Sequence, residues 1–95
     1  MATYMALLNF TEQGVRAYRE TSKRAEAFSK SVEQAGGKLR DVYWTMGPYD
    51  GVVIFEAPDD QAAATVMFEL GSKGNVRSQK MRAFDRAEIG RIIGG

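Results

Sequence analysis

Apolar positions change their spacing several times along the chain, and each change marks an element. Residues 2–10 form a bulky apolar run, interrupted by Asn9 and ended by Thr11, which reads as a first strand. Thr11 is placed to cap a helix starting at Glu12, whose charge suits a first turn. Gly14 and the pair Thr21-Ser22 weaken residues 12–22, so a short helix followed by a break is expected. Ser22 then opens a stronger helix. In it Ala25, Phe28, Val32 and Ala35 recur at three- and four-residue spacing, with Lys23, Arg24, Glu26, Lys30 and Glu33 around the rest. Gly36-Gly37 ends it by supplying the left-handed conformation that helix C-termini favour.

From Lys38 to Met46 the residues Leu39, Val42, Tyr43, Trp44 and Thr45 favour a second strand. Met46-Gly47-Pro48-Tyr49-Asp50-Gly51 is a turn, and Val52 to Glu56 is the third strand. Pro58-Asp59-Asp60 opens the next helix with Asp59 as N-cap, and Ala63, Val66, Met67 and Leu70 form its stripe. Gly71 and Gly74 stop it. The fourth strand runs from about Val76 to Phe84, and Asp85-x-x-Glu88 has the form of a capping box for a short helix bearing Ile89, Ile92 and Ile93. The order is βαββαβ plus a terminal helix. Right-handed crossovers fold that order into an α+β, ferredoxin-like sandwich, with a four-stranded antiparallel sheet and the helices on one face. Residues 1–95 then make one domain.

A sheet covered on one side should alternate apolar and polar residues, and strands one and three do not. Tyr4, Ala6, Leu8 and Phe10 point one way, while Met5 and Leu7 point the other with Thr3 and Asn9; Val53 and Phe55 oppose Val52 and Ile54. Soluble proteins avoid leaving such a second apolar face bare. Two coverings are open: the last helix folding back, or a second copy of the chain. Gly90 and only three isoleucines suit that helix to covering part of the face, so dimerisation through the sheet is the expectation. Trp44, adjacent to Tyr43 and therefore facing the opposite side, is expected in the core beneath the helices.

Composition narrows the chemistry. Ninety-five residues, 44% hydrophobic and 26% charged, lie near the lower limit for a self-sufficient core, so self-association would add stability. The chain has no cysteine and no histidine, which removes disulfides, thiolates, the usual zinc ligands and imidazole catalysis. Thirteen Lys+Arg against twelve Asp+Glu leave a net charge of +1, too balanced for a protein that neutralises phosphates, and no aromatic–basic interleaving points to nucleic acid. Residues 41–69 carry six acidic and no basic groups and residues 70–95 six basic and two acidic, an asymmetry that a two-fold interface could use or solvent could simply hydrate. The apolar opening lacks a basic leader and is too short to span a membrane, so the expectation is a cytoplasmic protein with no membrane contact.

The turn gives the sequence its specificity. Thr45-Met46-Gly47-Pro48-Tyr49-Asp50, an apolar strand, and Glu56-Ala57-Pro58-Asp59-Asp60 resemble the GYD domain family. The resemblance extends to Asn9-Phe10-Thr11-Glu12-Gln13-Gly14, to Lys23-Arg24-Ala25-Glu26, and to Leu70 through Arg77, with Thr21-Ser22 departing from the proline expected before Lys23-Arg24. It implies a dimeric α+β barrel and brings no established reaction. Similar small barrels serve as effector-binding modules, isomerases and cofactor-free oxygenases.

Candidate site residues follow from the turn and the second face. Gly47 and Pro48 shape the turn, Asp50 can accept backbone N–H groups, and Tyr49 can pack over a helix end; alternatively the phenol and carboxylate bind a small polar ligand. Alternation puts Asn9, Tyr43, Thr45 and Glu56 on the face away from the helices, joined by either Arg77 and Gln79 or Ser78 and Lys80. A mostly apolar pocket with a few polar groups is the form of a ligand site. Among apolar neighbours Glu56 could serve as a base; the structural reading pairs it with Lys80 or Arg82 or leaves it in solvent. Asp59-Asp60 reads as capping, and no metal or cofactor is implied. The leading expectation is a homodimer or higher homo-oligomer that binds a small, partly apolar molecule or acts as an accessory or assembly module. The alternative is a cofactor-free isomerase or oxygenase acting on a hydrophobic ring compound, with Glu56 or Asp50 as base and Tyr43 polarising an oxygen. A purely structural oligomer without a pocket is the third class.

Overall fold

The computed structural model describes residues 1–94. Strand β1 (Ala2–Phe10) leads into a short helix α1 (Glu12–Arg16), a 3-10 turn (Tyr18–Glu20) and helix α2 (Thr21–Gln34). Strands β2 (Lys38–Trp44) and β3 (Gly51–Ala57) follow, then α3 (Asp60–Ser72), β4 (Val76–Ala83) and α4 (Arg86–Gly94). The strands form one antiparallel sheet in the order β2-β3-β1-β4, the ferredoxin-like arrangement expected from the element order. Both α2 and α3 pack on the same face and against each other.

Local chemistry explains the boundaries. Thr11 Oγ1 accepts the N–H of Gly14 and caps α1, and Asp59 Oδ1 accepts the N–H of Ala62 at 2.8 Å and caps α3. Asp85 and Glu88 exchange side-chain-to-backbone bonds at 2.8 and 3.0 Å, the reciprocal capping box at the start of α4. Gly36 closes α2 with φ +88°, a conformation that costs a side-chain-bearing residue about 1–2 kcal/mol. The stop of α3 differs from expectation. Gly71 stays inside the helix, which runs on to Ser72, and Gly74 makes the turn because only its φ is positive.

The core is small and sits between the sheet and α2/α3. Tyr4, Ala6, Val53, Phe55 and Ala57 supply the sheet side; Phe28, Val32, Ala63, Val66 and Met67 supply the helix side. Phe55 is the hub, stacked on Tyr4 with centroids 5.5 Å apart and edge-on to Phe28 at 5.7 Å. Its burial contributes about 1.5–3 kcal/mol.

Trp44 departs from the expected core position. It does lie on the helix side, where its indole N–H donates to Thr21 Oγ1 at 2.9 Å, yet it is 51% exposed. It stands at the end of β2, the edge strand, where the first residue of α2 meets its indole N–H and about half of the side chain stays in solvent. Strand β2 also ends two residues early, which puts Thr45 in the turn.

Among the described residues no helix packs across the opposite face. Cross-strand partners share a face, so Tyr43, Val52, Leu7 and Gln79 form one row across all four strands, and Asp41, Ile54, Met5 and Met81 form the next. This assigns Arg77 and Gln79, not Ser78 and Lys80, to the far face. Helix α4 does not pack along it, and Ile92 and Ile93 remain exposed. The apolar second face is therefore left half-exposed in a single chain.

Candidate functional site

Three separate stretches meet at one end of the sheet, where β1 finishes, β4 begins and the β2–β3 turn folds over. Asp50 N–H donates to the carbonyl of Leu8 at 2.8 Å, which continues the β3–β1 ladder past Gly51. The Asp50 carboxylate then accepts the N–H of Phe10 at 2.8 Å, a charge-assisted bond to the strand end. Asn9 Nδ2 donates to the Pro48 carbonyl at 2.8 Å, and Thr45 Oγ1 donates to the Tyr49 carbonyl. The turn is thus strapped to β1 from both sides.

The β1–α1 junction is tied to the α3–β4 loop in the same way. Thr11 N–H donates to the Asn75 carbonyl and Thr11 Oγ1 to the Gly74 carbonyl at 2.6 Å. Gln13 Nε2 reaches the Lys73 carbonyl and Asn75 Oδ1. Gly14 has no room for a side chain, since a Cβ there would lie 1.9 Å from the Asn75 carbonyl oxygen. Arg24, from the first turn of α2, donates through Nη2 to the carbonyls of Gly14 and Ala17, with its guanidinium 6.0 Å from the Phe10 ring centroid.

Of the six sequence-predicted residues, five gather here. Asn9, Thr45 and Asp50 build the clasp. Tyr43 stands on the far face beside Val52. Tyr49 does not lie over a helix end: its hydroxyl donates to Gln79 Oε1 at 3.0 Å, because the strapped turn carries it across β1 to β4 on the far face. Glu56 is not part of the group. It opposes Thr3 at the other end of β1, about 20 Å away along the strand at 3.4 Å per residue. Its partner is Arg40, not Lys80 or Arg82, because a β-bulge between Leu39 and Asp41 inserts Arg40 beside it, while Lys80 and Arg82 project to the helix side.

A cavity of about 220 Å³ opens beside this corner, under the start of α2 on the helix side of the sheet. Leu8, Phe10, Phe28, Val42, Val53 and Leu70 give it an apolar lining, and Trp44, Arg24 and Asp50 border it. The expected pocket lay on the opposite face. Sequence alternation identified the bare face but gave no sign of a cavity beneath the start of α2, beside the ends of β2 and β3.

A second polar contact was missed by sequence reading. Tyr4 Oη donates to Asp60 Oδ1 at 2.5 Å at the far end of the core, with Arg82 5.6 Å from the Tyr4 ring centroid. Burial, reinforced by the hydrogen bond to Asp60, pushes the Tyr4 phenol up to about 12. The available signal was a tyrosine on the core face of a strand, which needs a partner for its hydroxyl. Asp59 and Asp60 are thereby both engaged, one as cap and one as acceptor. Among the described residues no three Asp, Glu, His or Cys side chains are grouped to hold a metal, and no helix is long and apolar enough to cross a membrane.

The fold and its clasped turn define a small ferredoxin-like α+β protein built on one open sheet. Residues 4–93 match the GYD domain model, and the chain belongs to that family. A relative from Thermus thermophilus, the glutamine synthetase and cystathionine beta-lyase binding protein, is 28% identical over 90 residues, covering 94% of this chain and 95% of its own. Among solved structures, FFRP-DM1 superposes with a TM-score of 0.64 at 15% identity, over 88% of this chain and all of that one. TTHA0845, also from Thermus thermophilus, superposes with a TM-score of 0.55 at 22% identity, over 90% of this chain and 95% of that one. These two likenesses speak to the fold.

Proposed function

We propose that two copies of this chain pair through the bare faces of their sheets into a dimeric α+β barrel, and that the dimer is an accessory module that binds other enzymes. The observation that carries the pairing is the far face, where Met5, Leu7, Val52 and Ile54 are only half-buried and Tyr43 and Met81 are 57% and 43% exposed. A contiguous apolar patch of this kind marks an interaction surface. The isoleucines of α4, bare in the protomer, lengthen the apolar surface available to a partner. The accessory role is supported by the Thermus thermophilus relative, which spans nearly the whole chain and is named for binding two enzymes.

The site residues fit that reading better than catalysis. Within a protomer Tyr43 opposes Val52, four residues along β3 from Glu56, so about 14 Å of strand separates the proposed base from the proposed polarising group. Glu56 is ion-paired with Arg40, and the Asp50 carboxylate holds the N–H of Phe10. The isomerase or oxygenase alternative is the weaker one for these reasons.

Sedimentation velocity at micromolar concentration tests the pairing: wild type sediments as a dimer and Ile54→Asp as a folded monomer. A monomeric wild type overturns it. For the accessory role, purified glutamine synthetase and cystathionine beta-lyase are titrated against the dimer. Saturable binding to one of them supports the role, and no binding to either overturns it.

A further inference from the structure

The helix side of the sheet is incompletely filled next to the clasp. Leu8, Phe10, Val42, Leu70 and Val76 border the cavity of about 220 Å³ and are only partly buried; Phe28 and Val53, both buried, also line it. Apolar side chains beside an unfilled space forgo the contacts that a packed neighbour would make. A chain of 95 residues has a small core, so each such contact matters.

The polar groups around the cavity are already engaged or lie in solvent. Trp44 gives its indole N–H to Thr21 Oγ1, Asp50 accepts the N–H of Phe10, and Arg24 Nη2 is held by the carbonyls of Gly14 and Ala17. Arg24 Nη1 has no partner, but burial shuts it off from the cavity. Glu20 and Lys23 pair with each other at 3.6 Å, and both are exposed, as is Lys73. A charged ligand entering this space would shed its hydration with no buried partner to replace it, and exposed lysines return little of that cost. An uncharged apolar body meets no such penalty. A cavity of roughly 150 Å³ accepts a benzene ring, so this one has room for a ring and a short arm. Phe10, Phe28 and Trp44 among the lining residues favour an aromatic body, since ring–ring contacts add to plain burial.

We propose that this cavity binds a small uncharged aromatic molecule, a single ring with a short alkyl arm, which completes the core between the sheet and α2. The site lies on the helix side of the sheet and goes beyond the pairing of far faces. A ligand that binds only the folded chain also stabilises it, increasingly so with concentration.

The test titrates the full-length protein with ethylbenzene. Occupancy is followed by the emission of Trp44, the single tryptophan, and stability by the melting temperature in circular dichroism. Ethylbenzene is expected to saturate within its solubility and to raise the melting temperature as it does so. Benzoate, a charged compound with the same ring, should bind at least about tenfold more weakly. Amide NMR shifts on adding ethylbenzene should centre on Leu8, Phe28, Val42 and Leu70. Ala25→Leu places a larger side chain at the cavity lining and should weaken ethylbenzene by about tenfold or more. Should that variant not fold, the NMR map and the ratio of the two wild-type affinities still decide. No saturable binding of ethylbenzene, equal affinity for benzoate, or shifts centred on Met5, Ile54 and Met81 of the far face overturn the proposal.

Discussion

The Asp50 carboxylate accepts the backbone N–H of Phe10 at 2.8 Å, so a residue of the β2–β3 turn terminates the neighbouring strand β1. Without it the Phe10 amide would be unpaired at a partly buried strand end. Asp50→Ala is expected to cost about 1–3 kcal/mol, measured as a lower urea midpoint at unchanged slope. Asp50→Asn, which keeps an acceptor oxygen, should lose clearly less.

Tyr49 reaches Gln79 over the far face, and its ring adds to the surface proposed for pairing. Tyr49→Ala should therefore lower the melting temperature and weaken the dimer. Differential scanning fluorimetry and dilution-series sedimentation read the two effects. An unchanged melting temperature together with an equally tight dimer would reverse the structural role given to this residue.

Gly14 is a packing requirement. Its missing Cβ leaves room for a backbone carbonyl of the α3–β4 loop, which cannot retreat without breaking the Thr11–Asn75 bond. Gly14→Ala should destabilise the fold by about 1–3 kcal/mol, the usual cost of overpacking, despite the better helix propensity of alanine. Equilibrium unfolding of the variant gives the number.

Tyr4 links stability to alkaline pH. Its phenol is raised in the folded chain, from 10.0 to about 12, by burial first and by the Asp60 contact second. Below pH 10 the folded and unfolded chains both hold this proton, and its stabilising contribution is complete. As pH rises toward 12 the unfolded chain releases the proton first, and that contribution is progressively lost. The stability difference between wild type and Tyr4→Phe should accordingly shrink across this window. Ultraviolet titration should show one phenol in the native protein that ionises near 12 and is released earlier by denaturant.

Much of this architecture is legible in the chain before any coordinates. The caps at Thr11 and Asp59 and the Asp85–Glu88 box are local, because each joins residues three apart, and short-range hydrogen bonding decides them. The two-faced character of β1 and β3 is equally local, a matter of side-chain alternation along a strand. Misreadings arose where the outcome depends on what lies across space. Glu56 found Arg40 because a bulge reset the register of β2, and Trp44 stayed half-exposed because it sits at the end of the edge strand, met by only the first turn of α2.

The sequence by itself determined the element order, the helix starts, the apolar faces and the turn that marks the family, since all of these follow from neighbouring residues. Only the tertiary structure decided that the turn clasps β1, that β4 presents Arg77 and Gln79 to the far face, and that Arg24 is tied to the carbonyls of Gly14 and Ala17. Those depend on register and on how far each layer extends, quantities summed over contacts between residues far apart in the chain.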